Sequence, residues 1–169
     1  KLQSTDEVKF NDARIKSETI KYLLLNKPKN YSGRMEDTTK KRTVQQLITG
    51  ACKEIITPIG RLGKNSTGLL LFTNDIDLIK KLTNPQKRIK EIYHLILDKN
   101  LKSIDFKKLQ DGITIGGKRA AIDRASYING KEKNEIGFEI SMGGIKMVNL
   151  IFEKIGYKVQ RIDRVFFAG

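Results

Sequence analysis

Apolar positions along this chain fall into short runs separated by polar and glycine-rich stretches, and the period of each run names an element. Ile20–Leu25 has strand length and ends in Asn26-Lys27-Pro28-Lys29, where Pro28 stops ladder pairing. Arg42-Thr43-Val44 opens a helix through Leu47 and Ile48, with Gly50 as its stop. Ile55–Ile59 and Leu69–Phe72 are two further strands. Ile76, Leu78, Ile79 and Leu82 fall at helical spacing, behind the capping chemistry of Thr73, Asn74 and Asp75 and ahead of Asn84-Pro85. Ile89–Leu97 alternates, with Ile92, His94 and Ile96 on one face and Tyr93, Leu95 and Leu97 on the other. Ser103 predicts the N-cap of a helix over Ile104–Leu109. Gly116-Gly117 predicts a tight turn between Ile113–Ile115 and Arg119–Ile122. Ala125–Ile128 and Glu135–Met142 read as strands. Ile145, Val148, Ile151, Phe152 and Ile155 make Gly144–Ile155 an amphipathic helix closed by Gly156. Lys158–Phe167 returns as a strand. Strands outnumber helices and need no parallel crossovers, so the expected fold class is α+β, a largely antiparallel sheet flanked by helices.

Residues 1–18 are polar and mixed in charge, with Val8, Phe10 and Ile15 scattered among them. They read as a linker or the end of a preceding module, with Val8–Ile15 as its exit strand. Residues 19–169 form the domain. The chain has 169 residues, 38% of them apolar, which is enough for one hydrophobic core. No apolar run reaches membrane-spanning length, and no signal-peptide pattern opens the chain.

Charge adds a partner class. Lys and Arg number 33 against 19 Asp and Glu, a net charge of +14, which favours a polyanion, nucleic acid first. Cys52 is the single cysteine, so internal disulfides and cysteine metal clusters are excluded, and a reducing cytoplasm is the expected location. His94 is the single histidine, which excludes a histidine-rich metal site.

Candidate chemistry concentrates in Pro58–Asp75. Gly60, Gly63 and Gly68 punctuate a loop in which Lys64, Asn65, Ser66 and Thr67 offer a cation and short polar groups, just before the Leu69–Phe72 strand. The spacing is not that of a phosphate-binding P-loop, since no Gly-Lys-Ser/Thr follows. An ordinary strand–loop connection fits the spacing as well as a phosphate-rich ligand does.

The stretch resembles the central motif of the bacterial ribosomal-RNA pseudouridine synthases of the small-subunit and RluB/RluF-like branch, Gly-Arg-Leu-Asp-x-x-Ser/Thr-x-Gly-Leu-Leu. Gly60, Arg61, Leu62, Ser66, Gly68, Leu69 and Leu70 match in order. Asn26-Lys27-Pro28 is similar to the family's first motif, with Asn30 in place of its Gly. Ile92-Tyr93 and the closing Phe152–Val165 complete four blocks in the family's order, from Tyr22 to the end.

The resemblance implies a pseudouridine-synthase-like domain that acts on ribosomal RNA or a pre-ribosomal particle as a monomer. It implies no metal, no small-molecule cofactor and no membrane partner. It also implies that a small RNA-binding module can precede the domain. In the family a uridine is flipped out, an Asp acts as nucleophile, and the base rejoins the sugar through carbon. A Tyr beside the base, matched by Tyr93, carries a proton-transfer role, and an Arg of the late helix pairs with the Asp. Here Gly63 occupies the position of the Asp and Asn149 that of the Arg, with Ile145, Lys146 and Leu150 replacing their neighbours.

Loss of both members of a partly buried pair is coherent, because losing one alone costs about 3–5 kcal/mol. Asp75 reads as a helix cap and Asp77 as an exposed helical residue, so no substitute nucleophile is evident. Arg61 is either a site residue or a hydrogen-bonder that holds the loop. Lys27, Lys40, Lys41, Arg42, Lys64, Asn65 and Lys146 are the expected RNA-binding residues, with solvated surface charge the competing reading for Lys27 and Arg42. Three functions remain open: an RNA-binding, catalytically impaired family member; an active uridine-to-pseudouridine isomerase; and a structural ribosome-associated protein.

Overall fold

The computed structural model describes residues 9–11, 13–14, 18–36, 42–120 and 122–168. In order the elements are β1 (Lys9–Phe10), β2 (Ala13–Arg14), β3 (Tyr22–Lys27), α1 (Val44–Ile48), β4 (Thr57–Ile59), β5 (Thr67–Thr73), α2 (Ile76–Thr83), β6 (Glu91–Leu97), α3 (Ser103–Asp111), β7 (Thr114–Ile115), β8 (Lys118–Arg119), β9 (Ile122–Tyr127), β10 (Glu135–Ile140), α4 (Gly144–Lys154) and β11 (Val159–Phe167). The main sheet runs β3-β5-β11-β6-β10-β9, with β4 also paired to β5. Every pairing in it is antiparallel except β5 with β11. The fold is therefore α+β with a mostly antiparallel sheet, as the sequence predicts.

Alternation decides which side each strand buries. Tyr93, Leu95 and Leu97 of β6 are buried, and Ile92, His94 and Ile96 face the other way. Gly68, Leu70 and Phe72 of β5 are buried in the same rhythm. The buried side carries two separate cores. The larger joins Tyr93, Leu95, Ile136 and Phe138 to Leu109 of α3 and to Val148, Ile151 and Phe152 of α4. Phe138 and Phe152 meet edge to face at 5.4 Å. The smaller joins Leu70 and Phe72 to Val44, Ile48, Ile56 and Leu62. Ile145 of α4 packs against both.

Between the two cores runs β11, and its register creates a polar seam. Lys27, Gly68, Arg164, Tyr93, Phe138 and Ala125 are successive cross-strand partners, so all six lie in one row on the buried side. An arginine and a lysine thus occupy core positions of the sheet.

Some boundaries differ from the sequence reading. Ser103 is not the N-cap of α3. Lys102 takes that place with no side-chain cap, and Ser103 lies inside the first turn. Tyr157 fixes this helix start instead: its hydroxyl accepts from Lys102 N at 3.1 Å and donates to Asp105 at 2.9 Å. Of the strand expected over Val8–Ile15, the described residues hold two two-residue strands, β1 and β2, while Val8, Asp12 and Ile15 lie outside the described residues. β4 starts at Thr57, because Ile55 faces solvent.

Candidate functional site

The Gly60–Ser66 loop is held by its backbone. Asn30 N donates to Lys64 O at 2.8 Å, Gly33 N to Leu62 O at 3.1 Å, and Ser66 N to Gly63 O at 3.2 Å. The segment after β3 is therefore laced to the loop on both sides of Gly63. Arg61 stands exposed on this loop. Lys64 and Asn65 are exposed beside it, whereas Leu62 and Ser66 are buried.

Gly63 and Gly68 are glycines for different reasons. At Gly68, φ is +106° and an added Cβ would lie 2.3 Å from Arg164 O, so only glycine allows β5 and β11 to meet there. At Gly63 φ lies outside the left-handed region, and an added Cβ would meet only Ser66 Oγ, at 3.7 Å. Gly63 is also exposed. The position can carry a side chain and does not. Its exposure corrects the expectation of a partly buried residue at 63.

Arg164 is the buried cation of the seam, 1% exposed. Its Nε donates to Leu69 O at 2.8 Å, its Nη1 to Glu91 Oε2 at 3.3 Å, and its guanidinium lies 4.5 Å from the Phe167 ring centre. Nη2 is buried without a hydrogen-bond partner. An added Cβ at Gly60 would lie 3.2 Å from Nη1, so the guanidinium sits directly under the loop. Tyr93 donates its hydroxyl to the same Oε2 of Glu91. Burial, reinforced by the Glu91 charge, pushes the Tyr93 phenol well above the ordinary tyrosine range. Tyr93 is thus a neutral donor locked on a carboxylate.

Sequence reasoning missed Arg164 and Glu91 as site residues. Their signal was the strand period itself. Arg164 shares the buried face with Ile162, and Glu91 shares a face with Tyr93, so both charges fall where a core side chain is due.

The remaining predicted residues are spread out. Lys27 is fully buried, and its ammonium donates to the Pro28 and Tyr31 carbonyls, each at 2.9 Å. That corrects both readings of Lys27 as a surface charge, and desolvation lowers its pKa to about 8. Arg42 is exposed and lies 5.9 Å from the Tyr31 ring centre. Lys40 and Lys41 lie outside the described residues. Lys146 is exposed in the first turn of α4. Asn149 is half-buried one turn beyond Ile145, on the side of α4 that meets the core containing Leu62.

Asp75 is the N-cap of α2, its Oδ1 accepting from Leu78 N at 2.9 Å. His94 pairs with Glu135 at 2.7 Å on the face opposite Tyr93. Among the described residues no group of His, Cys, Asp and Glu could hold a metal ion, and no helix is long and apolar enough to cross a membrane.

A mostly antiparallel sheet with a glycine-rich loop over buried Arg164 and Tyr93 and half-buried Glu91 defines a class, and comparison with known proteins supplies the family. The RNA pseudouridylate synthase family matches residues 21–149, most of the chain. The chain belongs to that family. It is 30% identical over 154 residues to the ribosomal large subunit pseudouridine synthase B of Buchnera aphidicola, covering 90% of this chain and 62% of that protein. It is 28% identical over 171 residues to the Bacillus subtilis protein of the same name, covering 99% and 70%. An uncharacterized RNA pseudouridine synthase of Aquifex aeolicus is 28% identical over 165 residues, covering 95% and 65%. The chain thus spans only about two thirds of the length of these relatives. A crystal structure of a pseudouridylate synthase shares the fold, with a TM-score of 0.76 at 24% identity, over 99% of this chain and 71% of that one.

Proposed function

We propose that this chain is an RNA-binding domain of the pseudouridine synthase family that engages ribosomal RNA in the cytoplasm as a monomer and is catalytically impaired. The observation that carries this reading is Gly63. It lies on a loop pinned by backbone hydrogen bonds, has room for a side chain, and presents none. By the motif match, this is where the family's nucleophile belongs. Covalent catalysis needs an atom that attacks and leaves, and acid–base assistance of about 10²–10⁴-fold does not replace it. Asn149 is neutral where the family carries the nucleophile's cationic partner. The nearby carboxylate, Glu91, is already occupied by Tyr93 and Arg164. The relatives named as ribosomal large subunit synthases support ribosomal RNA as the partner.

The test is pseudouridine-specific chemical mapping of ribosomal RNA after incubation with the protein. RNA retention without any new pseudouridine is expected. Multiple turnovers on any ribosomal RNA fragment would establish an active isomerase instead. Stoichiometric residence on ribosomal particles through sedimentation would favour a structural ribosomal protein.

A further inference from the structure

The main sheet ends at β9, which pairs with β10 on one side and with no strand on the other. Along the open side runs a cleft of about 540 Å³, bounded by Ile122–Tyr127 of β9 and by Phe106, Leu109 and Gln110 of α3. The helix residues fall at i, i+3 and i+4, so one face of α3 stands over the edge strand. None of Arg61, Gly63, Glu91, Tyr93, Asn149 or Arg164 lines this cleft. Leu109 and Ala125 are buried at its floor, where Ala125 contributes only a methyl group. Phe106 and Tyr127 stack at 4.6 Å and close one end. Asp123 is an extra residue in the pairing of β9 with β10, so the regular ladder covers Arg124 to Tyr127.

An open strand edge presents unpaired N–H and C=O groups, and an extended peptide is the ligand that pairs with them in sequence. The side chains of an added strand alternate between two faces. On the α3 face they meet the apolar floor at Ala125 and Leu109. On the other face they meet Arg124 and Ser126, beside a second cleft of about 260 Å³ over Gly137. Charge selects among peptides. Lys107, Lys118, Arg119 and Arg124 stand exposed on these elements against Asp111 and Asp123, while Lys108 is taken by Asp105. Glu139, the cross-strand neighbour of Arg124, is paired with Lys90 at 2.7 Å, and among the described residues Arg124 forms no ion pair. A second copy of this edge would set Arg124 and a net charge of +14 against their like. A nucleic-acid strand would satisfy the cations but not the ladder. We propose that β9 and α3 form a strand-addition groove for an extended segment of another protein, whose apolar side chains face α3 and alternate with acidic ones beside Arg124.

The capped peptide acetyl-Glu-Val-Glu-Val-Glu-Val-amide, titrated against the whole chain, tests the groove through amide hydrogen exchange. It should slow exchange saturably within Arg124 to Tyr127. The same peptide with its backbone amides N-methylated keeps every side chain and loses its donors. It should bind at least about tenfold more weakly, because the ladder is incomplete. A peptide with Lys in place of each Glu should leave β9 unprotected. Arg124→Glu should weaken the acidic peptide by about fivefold. Where that variant does not fold, the comparison of the three peptides on the unaltered protein decides. Unchanged exchange in β9, or equal binding of the N-methylated peptide, would overturn the proposal. Protection of β9 by a six-nucleotide uridine oligomer and not by the peptide would assign the groove to RNA instead. Protection that grows with protein concentration alone would assign it to a second copy of this chain.

Discussion

An ammonium group with two carbonyl partners and, among the described residues, no carboxylate is an uncommon occupant of a core, and Lys27 is one. Its folded pKa, about 8, lies below its ordinary 10.5, so between those values the unfolded chain binds more protons than the folded one. The desolvation penalty is therefore fully present below the folded pKa, and stability rises with pH across that window. Lys27→Met should remove this dependence, changing the stability difference between variant and wild type by on the order of a few kcal/mol across the window. Urea denaturation at one pH below the window and one inside it measures this. Parallel pH profiles would mean that the ammonium is not desolvated. A second contrast separates the two glycines of the loop. Gly63→Asp should leave stability within about 0.5 kcal/mol, because the position is exposed and open. Gly68→Ala should cost more than about 1 kcal/mol, because its Cβ would strike the Arg164 backbone at a positive φ. Equal denaturation midpoints for these two variants would contradict that placement.

Elements form where local chemistry and packing agree, and α2 shows local chemistry at its clearest. None of its residues is buried, so its cap matters more than it would in a core helix. Asp75 caps it through Oδ1 and accepts Tyr22 OH at 2.6 Å through Oδ2. Asp75→Ala should cost about 1 kcal/mol of stability, and Asp75→Ser should recover part of it, as a cap does. Measured RNA affinity should not change with either. A variant that lost RNA binding at unaltered stability would return Asp75 to the site. Asp75 was legible in the sequence because a cap is decided within a few residues. The same holds for the hairpin at Gly116-Gly117, the close of α4 at Gly156 and the alternation of β6. The start of α3 was not legible, because Tyr157, 52 residues on from Asp105, sets it. Arg164 and Glu91 escaped for the same reason. Which face of β11 is buried depends on its register with β5 and β6, and register is a long-range property. The Gly60–Leu70 block was legible as a motif because its residues lie together in sequence. The seam beneath it was not, because six strands spread along the chain build that row.

At the scale of the whole molecule the net charge is +14, and among the described residues charged side chains lie mostly exposed, with few in the core. Arg61 and Lys64 stand on the pinned loop, Arg42 precedes α1, and Lys146 opens α4, each exposed to solvent. These residues come from separate parts of the chain. Cations of this kind recognise phosphate and not sequence, and each neutralised phosphate releases counterions. RNA affinity should therefore fall linearly on a plot of log K against log salt, with a slope of about −0.7 per phosphate contacted on a single strand. Replacing Lys64 or Lys146 by Glu should weaken binding to unrelated RNA sequences alike and flatten the slope by about one phosphate's worth each. The same replacement at Lys27, whose ammonium has no exposed surface, should change stability before it changes the slope. Filter retention across a salt series, with the three variants beside the wild type, reads the affinities and slopes, and urea denaturation of the Lys27 variant reads its stability. An affinity insensitive to salt, or a slope reduced by Lys27→Glu and not by Lys64→Glu, would show that the RNA does not lie across the exposed loop.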